Sequence, residues 1–422
     1  MESVDKKPRR VLLLTRYFPP EIGTAATLFF DLAQELTRQG VSVVVVTGFP
    51  WYNLQEIPEQ YRRGIVCREQ SGSIEVIRVR LNVPGPRKLR LLIGHLLSPI
   101  AALLGGLLSG KVDVIYGYSP PLLMGVVGRL LKKLKGCPFV LGVQDLHPQA
   151  YIDQGLLSSA WLIKPLEGLE QAAYKGADSI TVHSEGNQRF VQGRLSAGSV
   201  SRVYVLNNWV DVELMKSSSR IGDFKKRFKV DEKFVVGYAG TVGLSQGSRI
   251  IVEAAALLAD LENLVFVVVA DGIDKKALIQ DCKRRKLSNV KFFDMQPAEK
   301  YPAIVAAFDL GIVTLNAKVH TPVVPSKILS LMASGTPIVA SLPKGSDSAT
   351  LIEEAKCGLV AEAENSVQFA DCVGTLYSNH GLRMDCGARA QNYAETHFAL
   401  PIVTRSLMGI FEETITRSSG SA

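Results

Sequence analysis

Residues 11–38, VLLLTRYFPPEIGTAATLFFDLAQELTR, decide the predicted fold. The stretch begins with a short apolar run, passes through a loop that contains Gly23, and continues from Ala25 with the apolar spacing of an amphipathic helix. A buried strand followed by a covering helix is typical of a parallel sheet with helices on both faces. The glycine in the loop would let an anionic ligand approach the backbone at the helix N-terminus, although a simple turn is the alternative explanation.

The same strand-to-helix pattern recurs along the chain in two blocks. It lapses in the polar residues 216–233 and restarts at residues 234–239, which lead into a second glycine loop, residues 240–247 (GTVGLSQG). The chain has 422 residues, about three times a typical ~150-residue domain, which also favours two domains. Neither glycine loop has the GxGxxG spacing, so dinucleotide binding gets no support.

We therefore expect an α/β protein with two doubly wound Rossmann-like domains that face each other across a cleft. The N-terminal domain would span residues 1–215 and the C-terminal domain residues 216–396. The final stretch, residues 397–422, would form a helix that returns towards the first domain and then a tail. Open α/β sheets bind ligands at the carboxyl ends of their strands, so such a cleft suits two substrates.

Charge and cysteine content narrow the class of protein. Lys and Arg number 48 against 40 Asp and Glu, a formal net charge of +8, which suits nucleic acid, an anionic membrane face or anionic small ligands. No basic-aromatic stripe or nucleic-acid motif is visible, which disfavours nucleic acid. The six cysteines form no CxxC pair, so neither a zinc site nor a disulfide framework is indicated. The polar N-terminus does not resemble a signal peptide, and we expect a cytoplasmic protein.

One segment is unusually apolar. Residues 91–110, LLIGHLLSPIAALLGGLLSG, contain no formally charged side chain unless His95 is protonated, and twenty residues are about the length of a membrane span. Pro99 lies in the middle of the run, and strand-helix patterns on both sides belong to one domain. Three alternatives stay open: a transmembrane span, a helix buried in the core, or a helix or hairpin that dips into one leaflet. We expect residues 88–110 to face the cytoplasmic membrane, where flanking basic residues would meet anionic head groups or simply form a solvated rim.

A third motif precedes a helix in the second domain. In residues 321–327, TPVVPSK, Ser326 suits an N-cap and Lys327 falls in the first helical turn. A cation is unfavourable there against the helix dipole unless an anion is bound, so the motif indicates a phosphate site. The alternative is that Lys327 simply reaches into solvent.

These pieces together resemble glycosyltransferase family 4, the retaining sugar-nucleotide transferases of the GT-B fold. The resemblance rests on YFPPEIGTAA, QDLHPQA, GYAGTVGLSQG, ADG and PSKILSLMASGTPIVA, and these motifs look most like bacterial O-antigen and colanic-acid transferases. It implies a hexosyltransferase whose donor is a nucleotide-diphosphate sugar, with UDP favoured over GDP as the nucleotide. The acceptor would be a polyprenyl-diphosphate-linked glycan at the inner face of the cytoplasmic membrane, in cell-surface polysaccharide biosynthesis. It also implies no cofactor and no obligatory metal ion, in keeping with the lack of a DxD signature.

The resemblance assigns roles to particular residues. Asp145, which follows the fifth predicted strand, Glu185 and Lys327 would be catalytic, and His147 is a weaker candidate. A carboxylate at Asp145 would orient the acceptor hydroxyl or take its proton, whereas Glu185 would serve almost as well as a helix-capping residue. The donor-binding residues would be Gly23, Gly240, Thr241, Gln246, Arg249, Asp271, Gly272, Ser326, Lys327 and Ser330.

The chain also departs from the family pattern. Two glutamates that members often carry eight positions apart fall on Pro322 and Ser330, and Thr241 and Gln246 replace an Arg and a Lys of the glycine loop. Our hypothesis is that Arg249 substitutes for one of these charges. Two other functions therefore remain open: a sugar-nucleotide 2-epimerase of the same architecture, and a non-catalytic, membrane-attached partner that has lost its donor site.

Overall fold

The computed structural model describes residues 8–21, 23–50, 56–80, 87–195, 201–218 and 223–420. The side chains of residues 87–93, 95 and 96 lie outside this description, as do residues 219–222 of the polar segment 216–233. The chain divides into two units. The first consists of Met1–Tyr151, Leu157–Asn207 and Leu400–Ala422, and the second of Ile152–Leu156 and Asn208–Ala399.

The first unit is built on an eight-stranded sheet with the order β3-β4-β2-β1-β5-β6-β7-β8. Its strands are parallel except for β3, which pairs antiparallel with β4. The aliphatic residues of β1, β2, β4, β5, β6 and β7 are almost completely buried because helices cover both faces of such a sheet. The strands are β1 Arg10–Leu14, β2 Ser42–Gly48, β3 Val66–Ser71, β4 Ile74–Val79, β5 Val114–Ser119, β6 Phe139–Val143, β7 Ser179–Val182 and β8 Arg202–Val205.

The helices of this part of the chain follow the strands in alternation. They are α1 Thr24–Arg38, α2 Arg87–Leu108, α3 Leu123–Lys135, α4 Gln149–Asp153, α5 Ala160–Gly176 and α6 Glu185–Arg194. Because the strands are parallel, the carboxyl ends of β1, β5, β6 and β7 meet at one edge of the sheet. The loops that carry Gly23, Asp145 and Glu185 all leave from that edge.

The second unit contains a six-stranded, fully parallel sheet with the order β11-β10-β9-β12-β13-β14. The order reverses at β9, so the carboxyl ends of β9 and its neighbours form a topological switch point. The strands are β9 Phe234–Thr241, β10 Leu264–Asp271, β11 Val290–Phe293, β12 Leu310–Thr314, β13 Ile338–Leu342 and β14 Gly358–Glu362. The helices are α7 Val212–Ser218, α8 Asp223–Arg227, α9 Arg249–Leu257, α10 Lys275–Arg284, α11 Tyr301–Ala306, α12 Ser326–Ala333, α13 Asp347–Glu354, α14 Ser366–Ser378 and α15 His380–His397.

The first unit gives way to the second after Asn207, whereas the sequence suggested residue 215. The polar segment 216–233 does not serve as a linker in its described part. Phe224 and Phe228, one turn apart with ring centroids at 5.4 Å, are buried in the hydrophobic core of the second unit together with Val212 and Met215. The spacing of these two phenylalanines by four positions was the sequence signal for a buried helical turn within a stretch rich in lysine and arginine.

The helix α16, Leu400–Gly420, belongs to the first unit. Phe411 is fully buried, with its ring centroid 5.7 Å from that of Tyr116 on β5. The Thr414 hydroxyl lies 2.7 Å from the Ser179 hydroxyl at the start of β7. The last helix of the chain thus completes the core that its first residues begin.

The apolar run is the helix α2, which continues through Pro99. Ala101 and Ala102 are buried on the side that packs against the sheet, and Gly106 contacts the Leu131 side chain of α3. On the opposite side Ile100, Leu104, Leu107 and Leu108 are between 42% and 48% exposed, and we call these four residues the α2 stripe. Within the described part of the chain, no helix has the length and apolar character needed to cross a membrane. In its described part the helix is thus buried on the side that faces the sheet and exposed on the other.

Candidate functional site

In the second unit, the glycine loop that begins at Gly240 meets the loop after β10, which contains Gly272. Gly240 and Gly272 both have φ of 139°, a backbone conformation that favours glycine. A Cβ on Gly272 would lie 2.0 Å from the carbonyl oxygen of Val242, so the loop after β10 needs a glycine there to approach the loop after β9. Asp271, the last residue of β10, accepts a hydrogen bond from the Gly272 backbone N–H at 2.8 Å.

Lys327 reaches this same place from the first turn of α12. Its Nζ donates to the Tyr238 hydroxyl at 2.7 Å, and a Cβ on Gly240 would be 3.6 Å from that nitrogen. Burial lowers the pKa of Lys327 to about 7. The lysine therefore does not reach into solvent, and its amine lies directly against the glycine loop.

The start of α12 differs from the sequence expectation in one detail. Ser326 was expected to cap the helix, but it is the first helical residue; the N-cap is Pro325, and no side chain caps the helix. Ser326 is exposed and its carbonyl oxygen accepts from the Ser330 hydroxyl at 3.3 Å. The Ile328 N–H donates to the Pro325 carbonyl oxygen at 3.0 Å, whereas the described residues offer no acceptor to the N–H groups of Ser326 and Lys327, which are left for a ligand.

Three other donor-binding candidates lie around these loops. The Ser330 side chain lies beside the buried Tyr301: burial raises the pKa of Tyr301, and Ser330 offsets part of that effect. Gln246 follows Ser245, whose carbonyl oxygen accepts from the Asn316 backbone N–H at 2.9 Å beyond the end of β12. Arg249, the first residue of α9, is 68% exposed and forms an ion pair with Glu253 at 3.1 Å. Arg249 is therefore available to an anion only if it leaves this ion pair.

In the first unit, the loop after β1 ends at Gly23, the N-cap of α1. Its backbone is extended, with φ of 164° and ψ of 159°, and its carbonyl oxygen accepts the helical bond from the Thr27 N–H at 3.1 Å. No side chain caps α1, and its first turn contains no acidic residue. An anion near Gly23 would thus meet helix N–H groups, with no acidic side chain in the first turn of α1.

Asp145 lies in a group of aromatic and basic residues at the carboxyl ends of β1, β5 and β6. Its carboxylate is 55% exposed and lies 4.0 Å from Nε2 of His147. Burial raises the pKa of Tyr118 and of Tyr151, and the charge of Asp145 raises both further. The guanidinium of Arg16, a residue that is 5% exposed, acts on Tyr151 in the opposite direction. An exposed carboxylate among hydroxyl groups suits the binding of a polyhydroxylated ligand.

His147 lies between Asp145 and Tyr151. Burial lowers its pKa, and the negative charge of Asp145 offsets part of that shift. Its ring packs edge-on against Tyr151, with centroids 4.2 Å apart. A neutral imidazole in this position suits a structural histidine that holds Tyr151 in place.

Glu185 is placed at the start of α6, after the adjacent strand β7. It is 81% exposed and pairs with Arg189 one turn later at 3.5 Å. The residue that caps α6 is Ser184, whose hydroxyl accepts from the Asn187 N–H at 3.2 Å. In the described residues no contact joins Glu185 to Asp145, so its catalytic role stays a prediction.

No cluster of three or more His, Cys, Asp or Glu side chains within the described ranges has the arrangement of a metal site. All six cysteines are free thiols.

Comparison with known proteins identifies the family. The model of the glycosyl transferase 4-like domain matches residues 23–209, and that of glycosyl transferases group 1 matches residues 233–379. The chain belongs to the family 4 glycosyltransferases of the GT-B fold. In this glycosyltransferase the first match covers strands β2 to β8 of the first sheet. The second match covers all six strands of the second sheet.

Its similarity to individual proteins is distant but extensive. It is 27% identical over 338 residues to the colanic acid biosynthesis glycosyl transferase WcaI of Escherichia coli, covering 77% of this chain and 81% of the relative. It is 23% identical over 411 residues to the D-inositol 3-phosphate glycosyltransferase of Corynebacterium glutamicum, covering 93% and 92%. Among solved structures, HepE of Anabaena in complex with UDP superimposes with a TM-score of 0.70 at 20% identity, covering 96% of this chain and all of HepE.

The structure adds residues that the sequence did not single out, both beside Lys327 and around Asp145. Tyr238 lies inside β9 and has the apolar neighbours of a core residue, yet its hydroxyl contacts Lys327. Tyr118 and Tyr151 are close enough to Asp145 to be affected by its charge, and Arg16 acts on Tyr151. Arg16 and Tyr118 lie at the carboxyl ends of β1 and β5, and that position was the available signal, because such ends converge at one edge of a parallel sheet. Tyr151, in α4, and Tyr238, inside β9, gave no such signal.

Proposed function

We propose that this glycosyltransferase moves a hexosyl group from a UDP-sugar to a polyprenyl-diphosphate-linked glycan, with retention of anomeric configuration. The observation that carries the donor half is the Lys327 amine beside Gly240, at the uncapped N-terminus of α12. A lysine, a glycine loop and free helix N–H groups together suit a diphosphate. The solved structure of HepE with UDP supports the choice of UDP.

In this proposal the leaving diphosphate is stabilised by the second unit. The bond between the anomeric carbon and the diphosphate oxygen breaks, and the ammonium of Lys327 with the α12 N–H groups offsets the charge that develops on that oxygen. The backbone of Gly240, Thr241 and Gly272 would border the phosphates. The role of Gly23 in binding the same diphosphate stays a prediction, because Gly23 belongs to the other unit.

The acceptor half of the proposal rests on Asp145. Retention without a protein nucleophile requires the acceptor hydroxyl to attack from the face that the diphosphate leaves. Asp145 would orient that hydroxyl, and its proton would pass to the carboxylate or to the departing phosphate oxygen. The name of the E. coli relative, a colanic acid biosynthesis transferase, supports a cell-surface polysaccharide as the pathway.

We also propose that the α2 stripe contacts an anionic membrane at the cytoplasmic face. Leu130 and Leu134 on the neighbouring helix α3 add exposed apolar surface, 42% and 58% exposed. Neither helix contains an Asp or Glu, whereas Lys111, Arg129 and Lys133 are exposed near them. Apolar side chains beside unopposed positive charge match a bilayer with anionic head groups.

Vesicle flotation tests the membrane proposal. The protein should float with vesicles that contain phosphatidylglycerol and much less with phosphatidylcholine alone. Replacing Leu104 and Leu107 by Glu should reduce flotation at least about tenfold, because two leucines lose their apolar contact. Replacing Val367, which is 60% exposed on α14, by Glu is the matched control and should leave flotation unchanged. Equal flotation of both variants would contradict the proposal.

The reaction itself is tested with membranes, purified protein and a panel of labelled UDP- and GDP-sugars, followed by extraction of lipid. Labelled lipid should form with a UDP-sugar. Turnover without an acceptor would indicate the epimerase instead, and no binding of any nucleotide sugar would indicate a non-catalytic partner. We propose that no metal ion is obligatory, so excess EDTA should leave the rate largely intact; loss of turnover that Mg²⁺ or Mn²⁺ restores would refute this.

A further inference from the structure

The side chain of Tyr238 joins two parts of the proposed donor site. Tyr238 lies in the strand β9 and is fully buried. Its hydroxyl donates to the carbonyl oxygen of Thr241 at 2.6 Å and accepts from Nζ of Lys327 at 2.7 Å. A phenol has one hydrogen to donate and lone pairs to accept, so both bonds form at once.

The contact selects one position for a flexible side chain. A lysine has four rotatable side-chain bonds, and ordering it costs up to about 2 kcal/mol of conformational entropy. Here the amine also lies 3.9 Å from the centre of the Tyr238 ring, a cation–π distance. Ring and hydroxyl therefore hold the amine beside the Gly240 backbone before any ligand arrives.

No carboxylate among the described residues forms an ion pair with the amine in this position. Burial is the cause that lowers its pKa, and no described ion pair acts against that effect. A neutral hydroxyl is a weak partner for a buried ammonium, which leaves most of its charge available to an incoming anion. The arrangement thus keeps the cation in place without neutralising it.

We propose that Tyr238 is a positioning residue for the donor diphosphate: its hydroxyl holds the Lys327 ammonium at Gly240 and ties it to the glycine loop through the Thr241 carbonyl. The inference rests on the proposed function, because it assumes that the diphosphate binds at Lys327. Tyr238 would not touch the diphosphate itself. Its contribution is preorganisation. An ammonium that is already in position does not have to reorganise when negative charge develops on the leaving diphosphate.

Titration calorimetry with UDP tests this on four proteins: wild type, Tyr238→Phe, Lys327→Met and the double variant. Tyr238→Phe should weaken UDP binding about tenfold, the size of one hydrogen bond to a charged group. Lys327→Met should weaken it about ten- to a hundredfold. In the Lys327→Met background, adding Tyr238→Phe should change the affinity less than about twofold, because the tyrosine acts through the lysine.

The pH dependence gives a readout that a merely structural role would not move. Wild-type affinity for UDP should fall as the pH rises above about 7, since the amine loses its proton there. Without the hydroxyl the ammonium loses an acceptor, so in Tyr238→Phe the fall should begin at lower pH. Tyr116→Phe is the matched control: it removes another buried hydroxyl, 3.2 Å from Thr181 in the first unit, and should bind UDP as wild type does.

The outcomes separate this inference from the proposed function. No UDP binding by wild type, or equal binding by wild type and Lys327→Met, would overturn the proposed donor site. Normal affinity and an unshifted pH profile in Tyr238→Phe, with Lys327→Met impaired, would overturn the role of Tyr238 alone. Additive losses of UDP affinity in the double variant would also overturn the role of Tyr238. If the Phe variant does not fold, Tyr238→Met fills the space without a hydroxyl and is measured in its place.

Discussion

Gly105 of α2 lies directly on the side chain of Val46 in β2. A Cβ on Gly105 would come within 2.5 Å of Cγ1 of Val46 and 3.3 Å of Cγ2 of Val79 in the adjacent strand β4. Only a glycine allows the helix to approach this closely, and α2 therefore packs directly against the sheet. The α2 stripe is therefore a fixed surface of the first unit and does not need the helix to detach.

Replacing Gly105 by Ala should destabilise the first unit. The added methyl group has to displace the buried, β-branched Val46, and overpacking of this kind costs about 1–3 kcal/mol. We expect the thermal midpoint to fall by about 2–10 °C, measured by circular dichroism. Gly168→Ala is the control, because Gly168 in α5 is exposed with nothing within 4 Å of the added atom. That variant should be neutral or slightly more stable, as alanine favours a helix, and an equal fall in both would contradict the packing argument.

Lys327→Met should stabilise the protein without ligand, most strongly below pH 7. The folded pKa of Lys327 is about 7, below its ordinary 10.5, so between these values the unfolded chain holds a proton that the folded chain lacks. Wild-type stability therefore rises with pH across this window, relative to the variant. The margin of Lys327→Met should be on the order of 2 kcal/mol at pH 6 and shrink towards pH 10, as followed by urea unfolding. A margin that does not depend on pH would show that burial leaves this amine unperturbed.

Asp145→Asn should lower kcat about 10²- to 10⁴-fold, the usual contribution of a general base. The affinity for UDP should not change, because Asp145 belongs to the first unit and the proposed diphosphate site to the second. Product formation and UDP titration measure the two effects separately. Asp371→Asn, at an exposed position on α14, is the control for the loss of one negative charge. Parallel losses of kcat and UDP affinity would place Asp145 at the donor instead.

Arg78→Met should destabilise the first unit by about 1–3 kcal/mol, because it leaves the half-buried Glu69 carboxylate and two carbonyl oxygens without their donor. The Arg78 side chain is 1% exposed, pairs with Glu69 at 2.6 Å, and also donates to the carbonyl oxygens of Pro19 and Gly48. It thereby ties the ends of three strands together beneath the loop that leads to Gly23. Urea unfolding measures the loss. Arg38→Met, where the arginine is 69% exposed, should change stability by less than about 1 kcal/mol.

The parallel strands could be predicted from the sequence because each is a nearly continuous apolar run. The strand β3 was missed because its residues alternate between half-buried and exposed positions, as befits an antiparallel edge strand, and VCREQS is largely polar. For the same reason Asp145 follows the sixth strand instead of the fifth. The reading of α2 could not be completed from the sequence, since which side of an all-apolar helix is covered depends on its neighbours.

The site could be predicted where its chemistry conflicts with local structure. Lys327 in the first turn of a helix opposes the helix dipole, and this conflict indicates an anion site from the sequence alone. Tyr238 shows no such conflict, because an aromatic residue in a strand is what packing alone would select. Ser326 gave a misleading signal: the chain enters α12 through Pro325, which takes the N-cap position itself.

The position of α16 affects the order in which the protein can fold as it is synthesised. Residues 208–399 contain every strand of the second sheet, so that sheet can assemble while the last helix is still inside the ribosome. The first unit, although its strands emerge before those of the second, lacks Phe411 and Thr414 until the chain has been made beyond residue 399. Its buried Tyr116 and Ser179 stay uncovered during that time. A nascent chain is therefore expected to expose this surface to chaperones until the final turns of α16 are released.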